Sequence, residues 1–205
     1  MVVINPDGTV VFSALENWYG NEIITFKATD PWGAFFKDAI TVTVNPINDA
    51  PMIITTLPNF DKNEDDPNWI VDLTLIKSDV DNTPSELVWS VSNWNTSLFD
   101  SITVIDNNIT FDLKANAYGN DEVTITLSDG LLTDSQNIWV NVTPINDPPV
   151  IAGLTDQPLV EDVIFWYDIT PYISDVDNDI SDLVVSTNSS YIIVHNNNHT
   201  LEMTY

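Results

Sequence analysis

The five residues Ile47–Pro51, Ile-Asn-Asp-Ala-Pro, recur as Ile145–Pro149, Ile-Asn-Asp-Pro-Pro. The aspartates of the two copies, Asp49 and Asp147, are 98 residues apart (147 − 49), which is the length of one small β-sandwich domain. Proline fixes the backbone and removes a hydrogen-bond donor, so each copy is interpreted as a rigid linker. The chain is therefore predicted to be a tandem array.

Acidic and tyrosine motifs recur in register with the two linkers. The matched motifs are Glu64-Asp65 with Glu161-Asp162, Asp79-Val80-Asp81-Asn82 with Asp175-Val176-Asp177-Asn178, and Tyr19-Gly20-Asn21 with Tyr118-Gly119-Asn120. Residues 1–47 correspond to the last half of a repeat, residues 48–146 to a complete repeat and residues 147–205 to the first half of another. Arrays whose units contact only their neighbours usually hold, span or adhere rather than catalyse.

The hydrophobic pattern has a period of two, as in half-buried strands. Segments such as Glu22–Ala28, Ala39–Val44 and Glu122–Leu127 alternate apolar with polar residues and are rich in β-branched side chains, and no segment has a convincing helical period. In the complete repeat the pattern predicts seven strands, near residues 51–57, 68–76, 86–92, 98–105, 109–114, 122–128 and 135–143. The predicted fold class is all-β, with tandem immunoglobulin-like Greek-key sandwiches, one complete and two truncated.

The charge balance limits the partners. The chain has 31 acidic residues, five lysines and no arginine, which gives a formal net charge of −26. Such a surface repels a phosphate backbone, so we expect no nucleic acid and regard cations as the natural partners. Without cysteine there is neither a disulfide nor a thiolate metal site. No apolar run is long enough to span a bilayer, so we expect no direct membrane insertion in this segment.

The chain resembles the cadherin-like tandem repeats of bacterial and archaeal surface proteins. The resemblance rests on four motifs in a fixed order: the linker, the Glu-Asp pair, the Asp-Val-Asp loop and a strand-end aspartate. The Glu-Asp pair follows the linker aspartate by 15 residues in one copy (64 − 49) and by 14 in the other (161 − 147). The strand-end aspartates are Asp30 and Asp129. The resemblance covers the whole chain and implies an extracellular, cell-surface or secreted protein.

The resemblance also implies calcium at the junctions between consecutive repeats. Ca²⁺ takes six to eight oxygens from carboxylates, amides and backbone carbonyls at about 2.3–2.6 Å. The ligands implied at the first junction are Asn48, Asp49, Asp79, Asp81 and Asp129. Those implied at the second are Asn146, Asp147, Asp175 and Asp177, with Glu64 reaching down from the preceding repeat. The strand-end aspartate of the third repeat would lie beyond Tyr205.

Two features depart from the animal cadherin pattern. Pro46 and Pro144 stand where an acidic residue usually opens the linker motif, and the Leu-Asp-Arg-Glu motif before the penultimate strand is missing. Near its place stand Glu16 in the first repeat and Ala115 in the second. We therefore expect fewer ions at each junction than in animal cadherins, and a weaker second junction.

The same motifs have interpretations without a ligand. An Asp-x-Asp-Asn loop is often only a polar turn whose carboxylates cap neighbouring amides, and repetition with matched partners is what favours ligation here. Among the seven tryptophans, Trp89 and Trp139 fall in strand-like runs and are predicted to be core. Trp32 and Trp94 lie in or near loops and are candidates for exposed contacts to sugars.

Catalysis has little support in the sequence. The two histidines, His195 and His199, lie in an asparagine-rich turn, and no serine or threonine has a recognisable base beside it. The prediction is a non-enzymatic, calcium-binding structural or adhesive stalk, whose partners are neighbouring repeats of the same chain and homophilic, surface-protein or glycan ligands. The alternative is a spacer or carbohydrate-binding module array attached to a secreted hydrolase.

Overall fold

The computed structural model describes residues 1–203, which form an all-β chain, while residues 204 and 205 of the predicted third repeat lie outside the described part. Turns and two single-turn 3₁₀ helices, Thr170–Tyr172 and Ile180–Asp182, join the strands. In chain order the strands are β1 (Val2–Ile4), β2 (Val10–Phe12), β3 (Gly20–Thr29), β4 (Phe35–Val44), β5 (Met52–Ile53), β6 (Phe60–Asn63), β7 (Trp69–Asp72), β8 (Lys77–Ser78), β9 (Val88–Ser92), β10 (Phe99–Ile105), β11 (Asn108–Leu113), β12 (Gly119–Ser128), β13 (Thr133–Thr143), β14 (Val150–Ile151), β15 (Phe165–Asp168), β16 (Ile173–Ser174), β17 (Ile192–His195) and β18 (Thr200–Met203).

The middle of the chain is a two-sheet sandwich. One sheet has four strands in the order β6-β13-β12-β9, and the other has three in the order β10-β11-β7. Neighbouring strands are antiparallel except β6 and β13, which run parallel. The chain passes from one of these sheets to the other after β6, again between β7 and β9, after β9 and after β11, as strands of a Greek-key sandwich do. The predicted fold class is confirmed.

The core between these sheets follows the period of two. In β11 Ile109 and Phe111 are fully buried, and in β13 Ile138 and Val140 are, while the residues between them are exposed or half-buried. Phe111 stacks on Trp69 with ring centroids 4.8 Å apart and planes at 4°. Burying a large apolar side chain stabilises the fold by about 1.5–3 kcal/mol. Strands with one apolar face are therefore most stable when two sheets pack with those faces together.

The residues on either side repeat parts of this sandwich at constant offsets. Strand β3 precedes β12 by 99 residues at both ends (119 − 20 and 128 − 29). Strand β15 follows β7 by 96 residues at both ends (165 − 69 and 168 − 72), and the order β15-β18-β17 matches β7-β11-β10. Every strand ladder of the described residues lies within 1–47, 48–146 or 147–203. The division into three repeats remains a prediction, which these offsets support.

Five of the seven strands predicted for the complete repeat match β9 to β13 within a few residues. The first two predictions are too long, because 51–57 contains only β5 and 68–76 contains only β7, and the sequence pattern does not predict β6 or β8. Strand β5 pairs with β8, and after Pro58, which has no N–H for a ladder, the chain pairs with β13 in the four-stranded sheet as β6. Strand β7 ends early because Asp72 Oδ1 accepts the Thr74 N–H at 2.8 Å, which forms a turn.

Two of the four tryptophan predictions, those for Trp89 and Trp32, are confirmed. Trp89 is buried, at 3% exposure, and Trp32 is 90% exposed. The prediction for Trp139 is wrong, because it is 49% exposed: its neighbours on β13 take the inward positions, so Trp139 points to solvent. Trp94 is half-buried and meets Phe99 edge-on, with ring centroids 6.4 Å apart. Of the four, only Trp32 therefore stands fully in solvent.

The predicted asparagine-rich turn is confirmed for His199, whereas His195 is the last residue of β17. His195 Nε2 lies 2.9 Å from Glu202 Oε2 on the neighbouring strand β18. His199 is only 4% exposed, and its Nε2 lies 3.0 Å from the Leu183 carbonyl oxygen. Both histidines therefore link neighbouring segments of the third repeat.

Residues 1–203 contain no helix long and apolar enough to cross a membrane.

Candidate metal sites at the repeat junctions

The five residues predicted at the first junction form one continuous set of hydrogen bonds. Asn48 Nδ2 donates to Asp129 Oδ2 at 2.8 Å. The next residue, Asp49, donates its backbone N–H to Asp81 Oδ2 at 2.8 Å. The backbone N–H of Asp81 donates to Asp79 Oδ1, also at 2.8 Å. The linker is therefore held between the loop that carries Asp79 and Asp81 and the turn that follows β12.

The second junction repeats this arrangement. Asp147 donates its backbone N–H to Asp177 Oδ2 at 2.6 Å, and Asp177 donates its own to Asp175 Oδ1 at 2.9 Å. Asn146 Nδ2 donates to the carbonyl of Asp147 at 2.8 Å, as Asn48 does to the next residue at 2.9 Å. Two stretches far apart in the chain make the same bonds, so the motif itself encodes the geometry.

The aspartate loops also cap their own turns. Asp79 Oδ1 accepts the backbone N–H groups of Asp81 and Asn82 at 2.8 and 2.9 Å, and Asp175 Oδ1 accepts the two equivalent bonds. This is the role that the interpretation without a ligand predicts. This capping uses only one oxygen, Oδ1, of each of these two carboxylates. Asp79 Oδ2 is buried and finds no hydrogen-bond partner among the described residues, and the same holds for Asn82 Oδ1.

The hydrogen bonds at the junctions favour ionised carboxylates. The N–H of Leu132, with the Asn48 amide and the N–H of Leu131, holds the pKa of Asp129 below its usual value. The side-chain amide of Asn178 does the same for the pKa of Asp175, with backbone N–H groups adding to it. Both groups therefore present negative charge at neutral pH.

Glu64, just after β6, has an unusual environment. It is only 3% exposed, and it is the one buried carboxylate side chain in the part of the chain that the structure describes. Its Oε1 accepts the N–H of Ile145 at 2.7 Å, which ties the middle repeat to the second linker. Its Oε2 is buried and finds no donor within residues 1–203. Burying an ionised oxygen without a partner is costly, so this environment favours a positive charge beside Glu64.

Carboxylates crowd around Asp147 in the same linker. Burial raises the pKa of Asp147, and the negative charges of Asp65, Asp177 and Asp175 raise it further. Its Oδ2 is also buried and unpaired among the described residues. Because this pKa is higher in the folded than in the unfolded chain, ionised Asp147 weakens the fold at neutral pH, and the penalty fades as the pH falls through the raised value. A divalent cation relieves the same repulsion without acid.

The donor set is that of a hard cation. The unpaired buried atoms at the junctions are all oxygens: Glu64 Oε2, Asp79 Oδ2, Asn82 Oδ1 and Asp147 Oδ2. Oxygen is the ligand type that Ca²⁺ prefers. Within residues 1–203, however, no three His, Cys, Asp or Glu side chains are arranged to hold an ion as they stand. The ligand atoms are therefore of the type that calcium prefers. To bind the ion, the carboxylates would have to move closer together, and amide or backbone oxygens would have to complete the coordination shell.

Asn82 and Asp65 belong to the junctions but are missing from the predicted ligand set. Asp65 has a φ of 61°, its Oδ1 accepts the Asn116 N–H at 3.0 Å, and its charge reaches Asp147. Both residues lie in motifs whose repetition is visible in the sequence. Repetition was therefore the signal that could have identified them.

Comparisons with known proteins find distant likenesses only. No family model and no curated protein matches the chain. Mouse protocadherin-24 EC1-3 is 15% identical, with a TM-score of 0.49 over 100% of this chain and 73% of that one. Cadherin domains 1–4 of protocadherin gamma B7 are 18% identical, with a TM-score of 0.48 over 100% of this chain and 55% of that one. An endo-fucoidan hydrolase of glycoside hydrolase family 107 is 15% identical, with a TM-score of 0.41 over 100% of this chain and 32% of that one. The chain thus spans about a third of that hydrolase, and none of these likenesses assigns a function.

Replacing Glu64 with glutamine should have opposite effects with and without calcium. Glu64→Gln keeps an acceptor for the Ile145 N–H but removes the buried charge. In chelator we expect the free energy of unfolding to rise by about 1–3 kcal/mol, because a neutral amide replaces a buried carboxylate whose charge has no partner. In saturating calcium the variant should be the less stable protein, because it lacks a ligand. Denaturant unfolding followed by tryptophan fluorescence measures both.

Glu122, an exposed carboxylate on β12, provides the matched control. Glu122→Gln should leave the calcium-induced stabilisation unchanged. If Glu64→Gln is weaker than the parent chain by the same amount in calcium and in chelator, Glu64 serves only to tether the linker.

A second substitution separates the linker bond from ligation at the first junction. Asp81→Asn retains an oxygen for the Asp49 N–H but carries no charge. We expect the melting temperature in chelator to stay within a degree or two of the parent value and the calcium-induced rise to shrink, since a neutral amide is a weaker calcium ligand than a carboxylate. Differential scanning calorimetry in both conditions tests this. Asp100→Asn, an exposed site on β10, controls for the charge change; an equal loss in calcium and chelator would leave Asp81 a turn and linker residue only.

Proposed function

We propose that this chain is a segment of a calcium-stiffened extracellular stalk, structural or adhesive and non-enzymatic, in which an ion at each linker fixes one repeat relative to the next. The observation that carries the proposal is the environment of Glu64. This carboxylate is 3% exposed, bonds to the second linker through one oxygen and leaves the other buried and unpaired among the described residues. A cation gives that oxygen a partner without breaking the linker bond.

The residues around each linker have distinct tasks in this proposal. Asp81 and Asp177 hold the linker to the repeat that follows it, through the N–H of the linker aspartate. Glu64 holds the second linker to the repeat that precedes it. Bound calcium supplies the positive charge that draws these carboxylates together. Without it their mutual repulsion pushes the two sides of the linker apart.

The expected strength of the sites favours an extracellular location. Pro46 and Pro144 remove a carboxylate from each linker motif, which weakens binding. Extracellular calcium modules bind with dissociation constants of about 10⁻⁴–10⁻³ M, whereas cytosolic sensors bind far more tightly. Sites of the weaker kind fill only where calcium is abundant, as it is outside the cell. The cell surface is therefore the location that we propose.

Small-angle X-ray scattering of the whole chain tests the proposal. We expect the maximum dimension to be larger and the distance distribution narrower in calcium than in chelator, because filled junctions hold the repeats in one extended arrangement. Magnesium should not reproduce the change, because it demands smaller octahedral geometry and gives up its waters reluctantly.

The spacer alternative makes a different prediction for the same experiment. A spacer that only separates a catalytic domain from another module does not need stiff junctions, so it tolerates identical scattering curves in calcium and chelator. Identical curves would therefore refute calcium-dependent stiffening and leave the spacer interpretation standing.

A further inference from the structure

Two of the five lysines in the chain stand directly opposite each other on the β3–β4 hairpin. Lys27 pairs with Lys37 in the ladder, and Phe35 lies on the same face, two residues along β4. The Lys27 Nζ is 4.4 Å from the centroid of the Phe35 ring, and the Lys37 Nζ is 5.7 Å from it. Both ammonium groups therefore converge on one aromatic ring.

The pairing of the two lysines does not help the fold, although each ammonium group gains a cation–π contact with Phe35. Like charges directly opposite in an antiparallel pair destabilise it. In the middle repeat the equivalent pair, Thr126 and Ser135, is uncharged, and Thr133 stands where this hairpin has Phe35. Since the same hairpin forms without them, the lysines and the ring are not requirements of the sandwich, and a ligand is the better explanation for their convergence.

Strands β3 and β4 place no acidic residue on the face that carries the lysines. The two acidic residues of these strands are Glu22 and Asp38. Both lie on the opposite face of the hairpin, since their ladder pairs alternate with the pair of Lys27 and Lys37. That opposite face lines a cleft with β1 and β2, so the lysine face points away from the rest of its repeat. Its other members include Asn21, Thr25 and Thr41, which supply amide and hydroxyl groups. In a chain with 31 acidic residues this is a local reversal of charge.

Exposed aromatic surface adjoins the lysine pair. Phe35 is 58% exposed and Trp32, in the turn between the strands, is 90% exposed. Asp30 Oδ1 accepts the N–H groups of Trp32 and Ala34, each at 2.9 Å, which orders this turn. The hairpin thus presents two ammonium groups beside the Phe35 ring, hydroxyl groups on the same face and an exposed Trp32 in its end turn.

We propose that this face binds an acidic polysaccharide, whose sulfate or carboxylate groups accept hydrogen bonds from Lys27 and Lys37 while sugar rings pack on Phe35 and Trp32. An anion between the two ammonium groups replaces their repulsion with charge-assisted hydrogen bonds. Hydroxyl and amide groups on the same face meet the sugar hydroxyls.

The charge distribution explains why a polysaccharide fits better than a nucleic acid. DNA carries one charge per about 1.7 Å, far more than two ammonium groups neutralise, and its stacked duplex leaves no sugar ring free to pack on Phe35 and Trp32, whereas a polysaccharide strand presents exposed sugar rings beside its anionic groups. At physiological ionic strength the Debye length is about 8 Å, so carboxylates that lie farther than this from the lysine pair repel a bound anion only weakly. The inference is independent of calcium binding at the linkers.

The test uses the whole chain in chelator, with dextran sulfate as the probe and unsulfated dextran as its neutral counterpart. By isothermal titration calorimetry we expect Lys27→Gln/Lys37→Gln to weaken binding of dextran sulfate at least tenfold. The dependence of log K on log salt concentration should lose a slope of about two, one for each ammonium group. Lys27→Arg/Lys37→Arg should retain binding, and Trp32→Ala should weaken it without changing the salt slope.

Lys62→Gln/Lys114→Gln removes the same charge from the middle repeat and should bind like the parent chain. Equal weakening of the two glutamine double variants would overturn the proposal, because binding would then follow net charge alone. So would equal binding of dextran and dextran sulfate, or binding that appears only in calcium. Binding to phosphatidylserine vesicles without binding to dextran sulfate would assign the face to membranes and also overturn it.

Discussion

The arrangement of this chain depends on one hydrogen bond that is made twice. At each linker an aspartate donates its backbone N–H to the second carboxylate of an Asp-Val-Asp loop, from Asp49 to Asp81 and from Asp147 to Asp177. The bond places the linker against the repeat that follows, and it brings further carboxylates to the same point. Because those carboxylates repel one another, the fold creates at every junction a concentration of negative charge that it does not itself neutralise. Calcium is the proposed answer to that imbalance.

Burial makes the imbalance costly. An exposed acidic cluster is solvated and needs no counter-ion, but Glu64 is almost fully buried, and oxygens of Asp79 and Asp147 are shielded without a partner among the described residues. The turn-capping bonds account for one oxygen of each loop carboxylate and leave the other free. Capping and ligation are therefore compatible roles of the same side chains. The lysine pair on β3–β4 is the reverse case, in which two positive charges meet and an external anion is the missing partner.

The sequence predicted the fold well where local pattern decides it. Alternating residues identified β9 to β13, and the repeated motifs identified which loop carboxylates meet each linker. Strand β6 was missed because Phe60–Asn63 has little strand propensity and pairs only through its parallel contact with β13, which is a tertiary effect. Trp139 was misplaced because a strand assignment alone does not say which face points inward. Burial of Glu64 and the unpaired state of its second oxygen depend on packing around the end of β6, so no motif could reveal them.

Calcium uptake by the intact chain is the most direct test of the central claim. Isothermal titration calorimetry with calcium chloride at physiological salt should show saturable binding that is weaker in the Glu64→Gln variant, and magnesium titrated in the same way should produce little heat. A chain that takes up no calcium in a saturable way, while its β-sheet circular dichroism spectrum shows that it is folded, would contradict the account, and the buried oxygens at the linkers would then need another partner.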